Sequence, residues 1–125
     1  MLTISKEFRF SASHVLSNLP EGHQCGRMHG HNYLVVIELS AAPEDLDSAG
    51  FVRDFGELSV VKKWLDDNFD HRHLNDVMGG VNPTAENISK WIYENWKGEI
   101  PELSAVCVSE TPSTWARYHP SPRPA

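Results

Sequence analysis

The chain predicts an α+β domain: a four-stranded antiparallel sheet with two helices between its second and third strands. Three observations predict it. Residues 2–14 and 31–40 alternate apolar and polar side chains, the period of a half-buried strand. Two later stretches, from about Phe55 to Asn68 and from Thr84 onward, carry apolar residues at helical spacing. Two short segments, LSAVCVSE and STWARYH, then return to strand-like composition near the C-terminus. Two helices suffice to cover one face of such a sheet.

Each element has its own signals. In the first strand Phe8, Phe10, Ala12 and His14 share a face. SNLPEGHQCG, residues 17–26, is a loop punctuated by Pro20, Gly22 and Gly26. In the second strand Tyr33, Val35, Ile37 and Leu39 lie on one side, with Leu34 and Val36 on the other. AAPEDLDSAG is a turn, and GFVRDF predicts a short strand ahead of the first helix. Leu58, Val61, Trp64, Leu65 and Asn68 form that helix's stripe, and DHRHLNDVMGGVNP is the loop after it. Thr84 is the N-cap of the second helix, with Glu86 in the first turn, and Gly98 and Pro101 stop it. Residues 1–118 form one domain, and 119–125, with Pro120, Pro122 and Pro124, form a Pro-rich flexible tail.

A second strand that is apolar on both faces is unusual for a small antiparallel sheet with one face in water. A neighbouring subunit is expected there, which makes the chain a homo-oligomer.

The bulk numbers exclude several function classes. The 125 residues carry a net charge of −6, with a pI near 5.6. An acidic chain lacks the basic face that nucleic acid or an anionic membrane needs, so neither is an expected partner. No apolar run approaches the ~20 residues of a bilayer span, and MLTISKEFRF lacks a signal-peptide layout. A cytoplasmic location is expected. Seven histidines against two cysteines point to imidazole ligation rather than to a disulfide framework.

The chemistry concentrates in CGRMHGH, residues 25–31. His29 and His31 are two apart at the start of the second strand, so both imidazoles point the same way. An exposed polar pair at a strand end is the plain reading; half of a metal site is the other. Candidates for a third ligand are His14, His23, His71, His73 and Cys25. His14 has the best local case, since it ends the alternating face of the neighbouring strand. His23, in the loop, reads as a surface histidine. Three imidazoles and a water make an open, catalytic zinc site, whereas three imidazoles and Cys25 make a closed one.

DHRHLND, residues 70–76, holds a second cluster. Adjacent Asp70 and His71 fit the orienter and base of a proton relay, or simply a turn after the helix. Glu110, ending the third strand, is either solvated or accepts paired N–H donors from an amino-substituted heterocycle. Arg27 is exposed or anchors a phosphate beside the metal.

Taken together, FxFSASH, CGRMHGHNY, a DH before LND, NPTAEN and SETPSTWARY resemble the 6-pyruvoyltetrahydropterin and 6-carboxytetrahydropterin synthase family, in order over residues 4–118. The resemblance implies a T-fold assembled into barrels, as hexamers or tetramers with active sites at subunit interfaces. It implies zinc on His14, His29 and His31, with Cys25 as the catalytic thiol and Asp70 and His71 as a second proton-transfer pair. Glu110 would anchor the pterin ring, and Thr84 would sit near it, although its capping role already accounts for it.

Three residues separate Cys25 from His29, like the bacterial branch that makes the 6-carboxy product for queuosine. The implied substrate is a small pterin triphosphate, 7,8-dihydroneopterin triphosphate, with acetaldehyde and triphosphate released. Zinc would act as a Lewis acid on the side-chain oxygens. No glycine-rich dinucleotide fingerprint appears, and no nicotinamide or flavin is expected. The rival readings are 6-pyruvoyl synthase activity on the same substrate and a non-catalytic zinc-stapled pterin-binding module.

Overall fold

The computed structural model describes residues 1–120; part of the Pro-rich tail expected at 119–125 therefore lies outside the described residues. The strongest alternation in the chain forms the longest elements. Strand β1 (Leu2–His14) pairs antiparallel with β2 (His29–Ala41) along its whole length, from Leu2 opposite Ala41 to His14 opposite His29. Because side chains alternate, Phe8, Phe10 and Ala12 share a face with Tyr33, Val35, Ile37 and Leu39, and all seven are buried. Phe10 stacks on Tyr33 with ring centroids 4.7 Å apart. The last positions of this same face are His14, His29 and His31, so the core ladder runs directly into the histidines.

Helix α1 (Ser59–Asn68) is preceded by a 3-10 turn over Phe55–Leu58, together covering the predicted first helix. The strand expected at GFVRDF does not form. The Asp47 carboxylate takes the amides of Ala49 and Phe51, at 2.9 Å each, and the Arg53 guanidinium is tied to Glu102 at 2.9 Å. These bonds hold the segment as an irregular turn, with no strand partner among the described residues.

The stretch after α1 is richer than a loop. It contains the two-residue strand β3 (Arg72–His73) and the single-turn helix α2 (Leu74–Val77). Helix α3 (Ala85–Trp96) starts where expected: Thr84 Oγ1 accepts the Asn87 amide at 3.1 Å. Its Ile88, Ile92 and Trp96, one turn apart, are buried against the sheet. Each such side chain stabilises the fold by roughly 1.5–3 kcal/mol.

Strands β4 (Leu103–Ser109) and β5 (Ala116–Tyr118) complete the sheet, in the order β3-β1-β2-β4-β5. Among the described residues the sheet thus has five strands rather than the four expected, and it is mixed, because β3 runs parallel to β1 at Ala12 and Ser13. A two-residue strand carries no alternation, which is why the pattern does not reveal it. On the helix-free face Leu34 and Val36 stay half-buried among polar neighbours: Arg9 lies opposite Leu34, and Glu7 opposite Val36. Among the described residues no helix is long and apolar enough to cross a membrane.

Candidate metal centre and active site

The antiparallel register sets His14 opposite His29 and Ala12 opposite His31, which gathers the three imidazoles at one end of the buried face. One ligand atom from each lies within 4.8 Å of the others. His14 is fully buried. Its Nδ1 lies 2.8 Å from the Pro83 carbonyl oxygen, and His29 Nδ1 lies 2.7 Å from that of Arg27. A carbonyl only accepts, so both rings carry a proton on Nδ1, and the Nε2 atoms are the positions free to ligate in the neutral tautomer.

These two Nε2 atoms stand 2.8 Å apart, and among the described residues His31 Nε2 is buried with no hydrogen-bond partner. Lone pairs aimed at each other at that distance repel unless a proton or a cation sits between them. Burial foremost holds His14 and His31 below the usual histidine value, which disfavours the proton. Three imidazoles converging on one point, two of them oriented by a backbone carbonyl on Nδ1, are a donor set suited to a divalent metal ion. Tyr33 adds its hydroxyl oxygen 3.2 Å from His14 Nδ1, a contact that the sequence gives no sign of.

Cys25 lies on a 3-10 turn, Gln24–Gly26, between the ends of β1 and β2. Its amide donates to His23 Nδ1 at 3.0 Å, and its carbonyl accepts from the Leu16 amide at 3.0 Å. His23 is therefore the cap of this turn. Arg27 is exposed, and its carbonyl belongs to His29.

Asp70 and His71 sit beyond the other edge of β1. Asp70 Oδ1 accepts the Ser11 amide at 2.9 Å, while Oδ2 accepts from His71 Nδ1 at 2.8 Å. The Ser11 amide first, then His71, holds the Asp70 carboxyl below the usual carboxylate range. His71 is in the left-handed region at φ 57°, and its amide bonds the Ser11 carbonyl at 2.6 Å. That conformation costs a non-glycine residue roughly 1–2 kcal/mol and turns the imidazole outward, with the side chain 82% exposed. His71 lines a cavity of about 460 Å³ together with His31, Ser11 and Ser13. His73, another candidate ligand, instead bonds the Ser13 hydroxyl at 2.9 Å.

Glu110 projects beside the three histidines, its Oε2 3.9 Å from His31 Nε2. Burial, and then the Glu86 carboxylate, push its pKa up, against opposing pulls from His29 and the Ala85 amide. With Ala85, Glu86 and Trp115 it lines a second cavity of about 480 Å³. In sequence Thr84 joins Ala85, which lines this cavity, to Pro83, whose carbonyl holds His14. The structure thus brings His31, Glu110 and Thr84's helix start to one end of the sheet, while Asp70 and His71 approach from the β1 edge.

A family profile described as 6-pyruvoyl tetrahydropterin synthase matches residues 3–121. The chain belongs to the 6-pyruvoyl tetrahydropterin synthase family. It is an enzyme with the T-fold of this family, in which the mixed fifth strand is a minor addition. A 6-carboxy-5,6,7,8-tetrahydropterin synthase of Synechocystis is 38% identical over 130 residues, spanning 98% of this chain and 96% of the relative. The Bacillus subtilis protein of the same name is 33% identical over 129 residues, spanning 94% of this chain and 84% of the relative. Among solved structures, the Caenorhabditis elegans 6-pyruvoyl tetrahydropterin synthase superposes with a TM-score of 0.82 at 26% identity, covering 96% of each chain.

Proposed function

We propose that the chain converts 7,8-dihydroneopterin triphosphate to 6-carboxy-5,6,7,8-tetrahydropterin, with one water consumed and acetaldehyde and triphosphate released. The observation that carries this reading is the convergence of His14, His29 and His31, which provides three ligands without Cys25. The full-length relatives of that name support the 6-carboxy product over the 6-pyruvoyl one.

Zinc held by the three imidazoles would supply Lewis acidity toward the substrate's side-chain oxygens. The remaining steps fall to the chain's own groups. Cys25, free of ligation, removes a proton from a side-chain carbon. His71, its tautomer fixed by Asp70, moves protons during the rearrangement and the carbon–carbon cleavage. Glu110 accepts the paired N–H groups of the pterin's amino-substituted edge, and its desolvated carboxylate gains most from that pairing. Thr84 orders the helix start beside the ring, and Arg27 meets the triphosphate. The enzyme works in the cytoplasm as a homo-oligomer, hexamer or tetramer, supplying queuosine formation.

The test is a product assay on wild type and Cys25→Ala. Acetaldehyde is expected from wild type; its absence in favour of a 6-pyruvoyl product overturns the branch assignment. Cys25→Ala is expected to keep about one zinc per chain and lose turnover. A variant that loses metal instead supports the zinc-stapled, non-catalytic alternative.

A further inference from the structure

The segment that carries Cys25 has almost nothing hydrophobic to hold it. From residue 15 to residue 28 no side chain is fully buried, and Leu19 and Met28 are 37% and 68% exposed. Polar contacts take the place of a core. The Asn75 side chain accepts the Val15 amide and donates to the Val15 carbonyl, at 2.9 Å each. The Asn82 side chain does the same for Ser17, at 3.0 and 3.1 Å. A carboxamide presents one acceptor and one donor in a plane, as a peptide group does, so each asparagine serves the segment as a strand partner would. Asn82 is itself held, since its carbonyl accepts from Asn87 Nδ2 at 2.9 Å.

The same groups reach the metal ligands. Pro83, next to Asn82, holds His14 through its carbonyl; Arg27, two residues past Cys25, holds His29 through its own. At the far end of the segment His23 accepts the Cys25 amide at 3.0 Å.

We propose that Asn75, Asn82 and His23 are positioning residues that fix the Cys25 thiol relative to the three-histidine centre without touching substrate. The inference rests on Cys25 being the catalytic thiol. A reacting group must be placed to within about 1 Å, since a misplacement of that size costs about 10²-fold in rate. Within one chain, a segment with only half-buried apolar side chains, Val15 and Leu16, draws that placement chiefly from its hydrogen bonds.

The test uses the full, zinc-loaded chain as wild type, Asn75→Ala, Asn82→Ala, His23→Ala, His23→Asn and Cys25→Ala. It reads kcat, KM, zinc per chain and the alkylation rate of Cys25 by iodoacetamide. Cys107 does not interfere: burial, with Glu38 accepting its thiol proton, pushes it up to about 11. Asn82→Ala and Asn75→Ala are expected to lower kcat by about 10²-fold, and His23→Ala by about 10-fold, with KM and zinc unchanged. The alkylation rate of Cys25 should move with kcat. His23→Asn, which restores an acceptor at the cap, should recover both.

If Cys25→Ala abolishes turnover while His23→Ala and both asparagine variants turn over like wild type, the positioning inference alone fails. It also fails if the asparagine variants lose zinc and activity together and His23→Ala is silent, which marks the clamps as purely structural. If Cys25→Ala keeps turnover, the functional reading itself falls.

Discussion

The three-histidine centre and the Asp70–His71 turn both use imidazole beside β1, and they hold it in opposite ways. At the three histidines backbone carbonyls take the Nδ1 protons of His14 and His29, and His14 is fully buried. At the turn a carboxylate rather than a carbonyl takes the His71 proton, and the ring stands in the open. A carbonyl fixes a neutral tautomer and so makes a ligand. A carboxylate also stabilises the protonated ring and so makes a proton carrier. On the proposed function, the same side chain serves as one or the other according to what its second nitrogen meets.

Breaking the centre has the largest expected effect. His29→Ala should deplete zinc from about one per chain, measured by elemental analysis of the dialysed protein. Turnover should fall by about 10³-fold or more, given the several kcal/mol a bound metal contributes to a developing anion. Full zinc occupancy in this variant would refute the ligand set.

Breaking the turn should leave the metal in place. Asp70→Asn keeps an oxygen for the Ser11 amide but presents an amide to His71 Nδ1, so the ring loses both its fixed tautomer and its counter-charge. Turnover should drop about 10²-fold at unchanged zinc. The folded-state pKa of Asp70 is depressed, so its stabilising effect is present above the unfolded carboxyl range and is lost as pH falls through the lower folded value. The variant lacks this contribution. The stability difference between wild type and Asp70→Asn should therefore shrink as pH drops below about 4, followed by thermal melts. A gap that widens on acidification would show that Asp70 is not held by Ser11 and His71.

The clustering of the three histidines is legible in the sequence and the Asp70–His71 turn only as a composition, for a physical reason. Alternation has a strict period of two, so once the first two strands are recognised, His14, His29 and His31 are committed to the face that carries Phe10 and Tyr33. The position of His71 depends on one left-handed residue and on bonds to Ser11, 59 residues away in the Asp70 contact. Neither leaves a periodic trace. The Asn75 and Asn82 clamps escape detection for the same reason, as polar side chains bonding distant backbone. His23 looked like a surface histidine and is exposed, yet its ring nitrogen caps the Cys25 turn. The GFVRDF strand failed because propensity was overruled by the Asp47 and Arg53 side chains.

The finest distinction between the two regions lies in how much of the ligand's orientation comes from backbone and how much from side chain. His14 Nδ1 has two oxygens near it, the Pro83 carbonyl at 2.8 Å and the Tyr33 hydroxyl at 3.2 Å. The nearer one is backbone and survives any substitution at residue 33. Tyr33→Phe removes only the farther oxygen and leaves the ring stacked on Phe10. Loss of an outer partner of a metal-bound histidine commonly costs 10–100-fold in affinity, and with the main acceptor intact the loss here should fall at or below about 10-fold. Competition against a chelator of known zinc affinity measures it. A loss of about 100-fold would make the tyrosine, and not the carbonyl, the group that orients His14, and the contrast with the carboxylate-held His71 would then narrow to a difference between two side chains.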